Sequence, residues 1–156
     1  MLVIPLPVKQ SNRVHISNSQ PNFSMFISNG KLLYSNDKGY KLIVEIDQDL
    51  ADYYYSLIPK YYRIQKPRYR PHVTVVRVGQ EVPVYLKHWN KYHEDTIVFR
   101  YGNEVHYDNN YYWISVWSTE LERIRRELGL NDTSRLLTPP TGLRKNFHCT
   151  IANTKF

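Results

Sequence analysis

One cysteine, Cys149, is all that 156 residues contain. Its isolation excludes an internal disulfide framework and any metal site built from several thiolates, and it suits a reducing cytoplasm. Long apolar runs are missing as well. None approaches the ~20 residues a helix needs to cross a bilayer, so no membrane partner is expected. The opening Met1–Val8 is apolar, but it is short, lacks a basic start and is broken by Pro5 and Pro7, so no signal peptide is expected. Internal repeats of solenoid length are absent. Acidic side chains are scarce: 14 Asp and Glu face 21 Lys and Arg, a formal charge of +7. With a mean hydropathy of −0.55, what remains fits a single soluble domain, 1–156, large enough for a substantial core.

The positive charge is not spread evenly. Lys60, Arg63, Lys66, Arg68, Arg70 and Arg77 form one group, and Arg144 and Lys145 another. Each lies beside a short β-branched run, Arg70–Val76 and Asn146–Ala152, and each of those runs contains His, one residue, then Thr: His72/Thr74 and His148/Thr150. Side chains alternate faces along a strand. The His and Thr of each run therefore share a face, while Val73, Val75, Phe147, Cys149 and Ile151 make the opposite, core-facing row. By the same parity Arg70 and Asn146 fall on the histidine face. A single His-x-Thr on a strand usually means a histidine bonded to a backbone carbonyl. Its duplication between basic flanks points instead to a ligand bearing phosphate.

The intervening sequence supplies context. Asn29-Gly30 reads as a turn between Ser24–Ser28 and Lys31–Ser35, and a strand follows at Tyr40–Asp47. Asp47 can cap a helix from Gln48 to Leu57, with Leu50, Tyr53, Tyr54 and Leu57 at helical spacing and Pro59 as its stop. Val84–Tyr92 reads as a short helix. Thr96–Tyr101, Glu104–Tyr107 and Tyr111–Trp117 read as three successive antiparallel strands, joined at Gly102-Asn103 and Asp108-Asn110. Thr119 and Glu122 form a capping box for a helix with Leu121, Ile124 and Leu128 as its stripe and Gly129 near its end. Strand, helix and motif strand thus occur twice, which predicts an α+β fold of two similar halves.

Imidazole exchanges protons near neutral pH, its unperturbed pKa being ~6.5. Two of them on one cleft can divide the work, one taking a proton from a nucleophile and the other giving one to a leaving oxygen. Threonine hydroxyls beside them can donate to the non-bridging phosphate oxygens, where charge grows in the transition state. No metal or other cofactor is required by this inventory. Arg70 and Lys145 can steady phosphate charge, Asn146 joins them on the cleft face, and Tyr40 and Trp113 are candidates to stack on a base. Cys149, facing inward, is a poor nucleophile. His88 and His93, with Glu94 and Asp95 nearby, share no helix face and make a poor metal site. His15 and His106 read as surface or packing residues.

Pro71-His72-Val73-Thr74-Val75 and Phe147-His148-Cys149-Thr150-Ile151-Ala152, with the strand–helix units before them, resemble the two-histidine (2H) phosphoesterase superfamily, which includes RNA 2′,3′-cyclic phosphodiesterases. The resemblance covers about residues 40–156, leaving 1–39 as an N-terminal extension without a counterpart. It implies a bilobal, pseudo-symmetric α+β fold, antiparallel sheets around a central cleft and helices outside. It also implies metal-independent cleavage of ribonucleotide phosphodiesters by His72, Thr74, His148 and Thr150. Substrates in that superfamily include 2′,3′-cyclic phosphate ends and 2′–5′ or cyclic oligonucleotides, the latter degraded by some viral members. A cytoplasmic monomer is expected, in the host cytoplasm if the chain is viral. The chain departs from the family in ending six residues after Thr150, which leaves little room for a C-terminal lid. The rival reading is a non-catalytic RNA- or nucleotide-binding module that uses the basic flanks and aromatics for affinity. A structural protein with a basic surface is a third.

Overall fold

A computed structural model of the chain describes residues 2–5, 13–15, 24–132 and 147–156. The strands are β1 (Leu2–Pro5), β2 (Arg13–His15), β3 (Ser24–Ser35), β4 (Lys41–Ile46), β5 (His72–Val76), β6 (Thr96–Gly102), β7 (Glu104–Asp108), β8 (Tyr111–Trp117) and β9 (Phe147–Asn153). Helices α1 (Gln48–Leu57) and α2 (Thr119–Glu127) precede β5 and β9. The fold is mixed α+β. Six strands, β8-β6-β3-β4-β5-β9, close into an antiparallel barrel through a β8–β9 pairing, while β2 lies on β3 and β7 carries β1 outward from β8. Among the described residues no helix is long and apolar enough to cross a membrane.

Alternation decides which face each strand buries. Leu32, Val44, Val73, Cys149 and Ile114 follow one another across adjacent strands, and all are buried. They join Leu50, Ala51 and Tyr54 of α1 and Leu121, Ile124 and Leu128 of α2 in one continuous core. Each helix begins on a side-chain cap. Asp47 accepts from the Asp49 amide at 2.9 Å. In α2 the cap is Ser118, whose hydroxyl accepts from the Leu121 amide at 3.1 Å. The Thr119–Glu122 box is therefore displaced by one residue, Thr119 being the first helical position. Gly129, at φ +79°, ends α2 with Leu130 N–H donating to the Arg125 carbonyl and its own N–H to Arg126, the paired C-terminal closure that a left-handed residue allows.

Three local expectations are overturned. Asn29-Gly30 is not a turn: β3 runs unbroken through it. A Cβ at Gly30 would stand 2.5 Å from the Glu45 carbonyl oxygen and from Val44, so the glycine is there to let β4 approach, and residues 24–35 belong to the barrel itself. Gly102-Asn103 is not a hairpin either. β6 and β7 both pair along one edge of β8, Tyr101 opposite Val116 and His106 opposite Trp113, so they form one long strand broken by a two-residue irregularity. Val84–Tyr92 forms only a single 3₁₀ turn, Leu86–His88.

A buried arginine ties α2 to β5. Arg125, 1% exposed, donates to the Val75 carbonyl, to the Asn131 carbonyl and to both carboxylate oxygens of Glu81. Burial alone would raise the Glu81 carboxyl, but the hydrogen bonds from Arg125 and the Arg77 amide outweigh it and hold the group below its usual value. Arg125→Met leaves Glu81 and the Val75 carbonyl without their donor, and a stability loss of about 3–5 kcal/mol in urea unfolding is expected. Because the folded pKa of Glu81 is depressed, its contribution is present above the ordinary glutamate range and is lost as pH falls through the folded value. Wild-type stability should show that acid-side decline, and Glu81→Gln should flatten it.

Candidate active site

Local sequence makes both motif strands. Val73, Val75 and Val76 are β-branched, and Pro71, which has no N–H to give, sits just before β5 with its carbonyl accepting from the Ile46 amide at 3.1 Å. What brings the motifs together is the pairing of β5 with β9, Val73 opposite Cys149. Extending that antiparallel register by one residue each way puts His72 across from Thr150 and Thr74 across from His148. On the outer sides Glu45 faces His72 and Ile43 faces Thr74, while Trp113 faces Thr150 and Ser115 faces His148. Two crosswise rows result: Glu45, His72, Thr150, Trp113 and then Ile43, Thr74, His148, Ser115.

Both histidines and both threonines are half-buried, on the strand face opposite Val73 and Cys149, which are fully buried. The imidazoles lie on a diagonal of adjacent strands, a relation that separates residues by about 7–8 Å.

The two rings are held differently. His72 Nδ1 lies 2.8 Å from the Arg70 carbonyl. A carbonyl only accepts, so Nδ1 carries the proton and Nε2 is the nitrogen left outside this contact. His148 is flanked by Trp113, edge to face at 6.5 Å between ring centres, with His106 stacked on the far side of the indole at 5.7 Å. Burial, with the positive charge of Arg77 and then of His72, lowers His148 from 6.5 to about 4. It is therefore a neutral imidazole across the physiological range. His106, buried beneath Trp113, is lowered too, by burial against the opposing pull of Glu104.

The other candidate residues scatter. Arg70 is largely exposed and its guanidinium lies 3.5 Å from Glu45, so it borders the first row while its carbonyl orients His72. Trp113 is 2% exposed and forms a wall behind His148 rather than an open stacking surface. Tyr40 lies just before β4, and its ring packs edge to face on Trp89 at 4.9 Å. Lys145 and Asn146 lie outside the described residues. Burial pushes the Cys149 thiol up to about 12, which removes it as a nucleophile at neutral pH. His93 Nδ1 accepts from the Tyr34 amide at 3.1 Å, a packing role. Among the described residues no three His, Cys, Asp or Glu side chains converge on a point.

Sequence reading missed Glu45, Ser115 and Arg77. Glu45 and Ser115 carry the right parity, but only the register sets them beside His72 and His148. Arg77 stood out only as one member of the basic group. It follows β5 directly, and its Nε is buried without a hydrogen-bond partner among the described residues. Comparison of the chain with protein-family models, with curated proteins and with solved structures finds no match.

The depressed His148 value has a measurable sign. Its contribution to stability is complete above the ordinary histidine pKa of 6.5 and is lost as pH falls toward about 4. An NMR titration of the His148 ring should place its midpoint well below the ordinary histidine value of 6.5, toward about 4. Arg77→Gln should move that midpoint upward; an unmoved midpoint would show that Arg77 does not act on this ring.

Proposed function

We propose that this chain is a metal-independent phosphodiesterase of the two-histidine type, acting on ribonucleotide phosphodiesters: a 2′,3′-cyclic phosphate, a cyclic di- or oligonucleotide, or a 2′–5′ linkage. One observation carries the proposal. His72 and His148, far apart in sequence, share one face of paired strands, each with a threonine hydroxyl crosswise from the other's ring. The order β4–α1–β5 and β8–α2–β9, with β5 and β9 paired to one another, supports the bilobal, pseudo-symmetric arrangement of that superfamily.

The unequal surroundings of the rings support unequal roles. His148, neutral near pH 7, suits the general base: it takes the proton of an attacking water or ribose hydroxyl as the new oxygen–phosphorus bond forms. His72 suits the general acid. With its Nδ1–H fixed on the Arg70 carbonyl, its Nε2–H gives a proton to the leaving oxygen as the old bond breaks. Thr74 and Thr150 donate to the non-bridging oxygens, and Arg77 supplies positive charge beside His148 as those oxygens become more negative. After the leaving group departs, the proton gained by one ring and lost by the other are exchanged with solvent, and the pair is reset.

Turnover of a nucleoside 2′,3′-cyclic phosphate or a short 2′–5′ or cyclic oligonucleotide is expected to fall by about 10²–10⁴-fold in His72→Ala and in His148→Ala, both remaining folded. Thr74→Val and Thr150→Val should each cost on the order of 10²-fold in kcat. EDTA should leave the rate unchanged, and kcat/KM should follow a bell whose acid limb lies near the His148 value of about 4. Full activity in either histidine variant rejects the proposal and leaves the non-catalytic binding module.

A further inference from the structure

One hollow among the described residues lies apart from the histidines. It encloses about 410 Å³ between the end of α1 and the following loop, with Ile58 and Ile64 as apolar lining, Tyr62 and Phe156 as aromatic lining, and Lys60 and Arg63 as its cations. Phe156 is 70% exposed, and the Arg63 guanidinium lies over its ring at 4.8 Å. Lys60 and Arg63 are exposed and have no carboxylate partner among the described residues, whereas nearby Lys66 is already paired with Asp52 at 3.0 Å. Tyr61 and Tyr69, on the same loop, are 80% and 77% exposed. Solvated apolar rings among unneutralised cations have no core to serve; stacked bases joined by phosphates satisfy both.

The loop also leads to the histidines. Gln65 and Asn153 exchange backbone hydrogen bonds of 2.9 Å, and the Gln65 side chain reaches the Asn153 side chain and the Lys155 carbonyl. This fixes the loop to β9 three residues beyond Thr150, roughly 10 Å at ~3.3 Å per residue. Five residues further on, the same loop supplies the Arg70 carbonyl that orients His72.

We infer that the hollow lined by Lys60, Arg63, Tyr62 and Phe156 is a binding site for single-stranded oligoribonucleotide. On the catalytic reading above, on which this part rests, it holds the nucleotides adjoining the scissile phosphate and makes oligonucleotides, rather than cyclic mononucleotides, the preferred substrates. Bases stack on the exposed rings, and Lys60 and Arg63 meet the backbone phosphates.

The test is fluorescence anisotropy with a labelled mixed-sequence RNA octamer. The full chain carries His72→Ala to prevent cleavage, with and without Lys60→Glu plus Arg63→Glu, or Phe156→Ser. The charge reversals should weaken binding at least tenfold and lower the slope of log affinity against log salt by one to two. Phe156→Ser should weaken it several-fold with the slope retained. With His72 intact, kcat/KM for an octamer ending in a 2′,3′-cyclic phosphate, relative to that for a nucleoside 2′,3′-cyclic phosphate, should fall in both pocket variants. Binding that survives both sets of substitutions overturns the inference. Loss in the charge reversals alone makes the hollow a general polyanion patch, such as one for an anionic membrane or an acidic protein, and overturns it too. If the intact chain turns over no phosphodiester while the pocket variants still lose the octamer, the catalytic reading fails and the binding site stands.

Discussion

The barrel and the candidate site both depend on one lateral contact, the pairing of β5 with β9. Closing a ring of strands removes the exposed edges that an open sheet would leave. Here β9 pairs on one side with β5, the strand that follows α1, and closes the ring by pairing with β8 on its other side. Val73 and Cys149, opposite one another and fully buried, hold the contact from behind. On the other face the same register sets the two His-x-Thr pairs crosswise. A slip of one residue would turn the histidines into the core and the valine and cysteine out to water. Burial of the apolar row therefore fixes the polar row as well.

Around this contact, unpaired charge is treated in two different ways. Arg125 is buried, and every direction it points finds an acceptor: Val75, Asn131 and Glu81. That is what a charge removed from water requires. Arg77, only two residues past Val75, is half-buried with its Nε unmatched, and its positive charge acts on His148 as well as on Glu81. Glu81, which could neutralise it, is already engaged by Arg125 and by the Arg77 backbone amide. A cation left partly unneutralised next to a neutral imidazole favours an anion between them. This is the electrostatic ground for reading the face as a phosphate site, and it is independent of any family resemblance.

The loop between α1 and β5 extends the same logic outward. It holds exposed tyrosines and cations where a connecting loop needs only polar side chains, and it is fixed at Gln65 to the strand carrying His148. Its backbone also sets the tautomer of His72. The segment that leads into the hollow is thus the one that orients the candidate acid, so occupancy of the hollow and alignment of that ring share a covalent path of only a few residues.

Much was legible in the sequence because it depended on local periodicity. Alternation placed Val73, Val75, Phe147, Cys149 and Ile151 in the core and the His and Thr of each run on the other face. Helical spacing and caps gave α1 and α2 to within a residue or so. At Gly129 the local reading held, but at two other glycines it failed. Asn29-Gly30 looked like a turn because glycine relieves backbone strain, but at Gly30 it serves a neighbouring strand that no local rule could supply. Gly102-Asn103 failed likewise, since a broken strand and a hairpin look alike until the partner edge is known. Glu45, Ser115 and Arg77 could not be found from their own surroundings, because their importance lies in register and in charge acting between strands. The sequence by itself determined which residues could share a face. Only the tertiary structure decided which faces meet, because strand register is a contact between residues far apart in the chain, and no short-range preference encodes it.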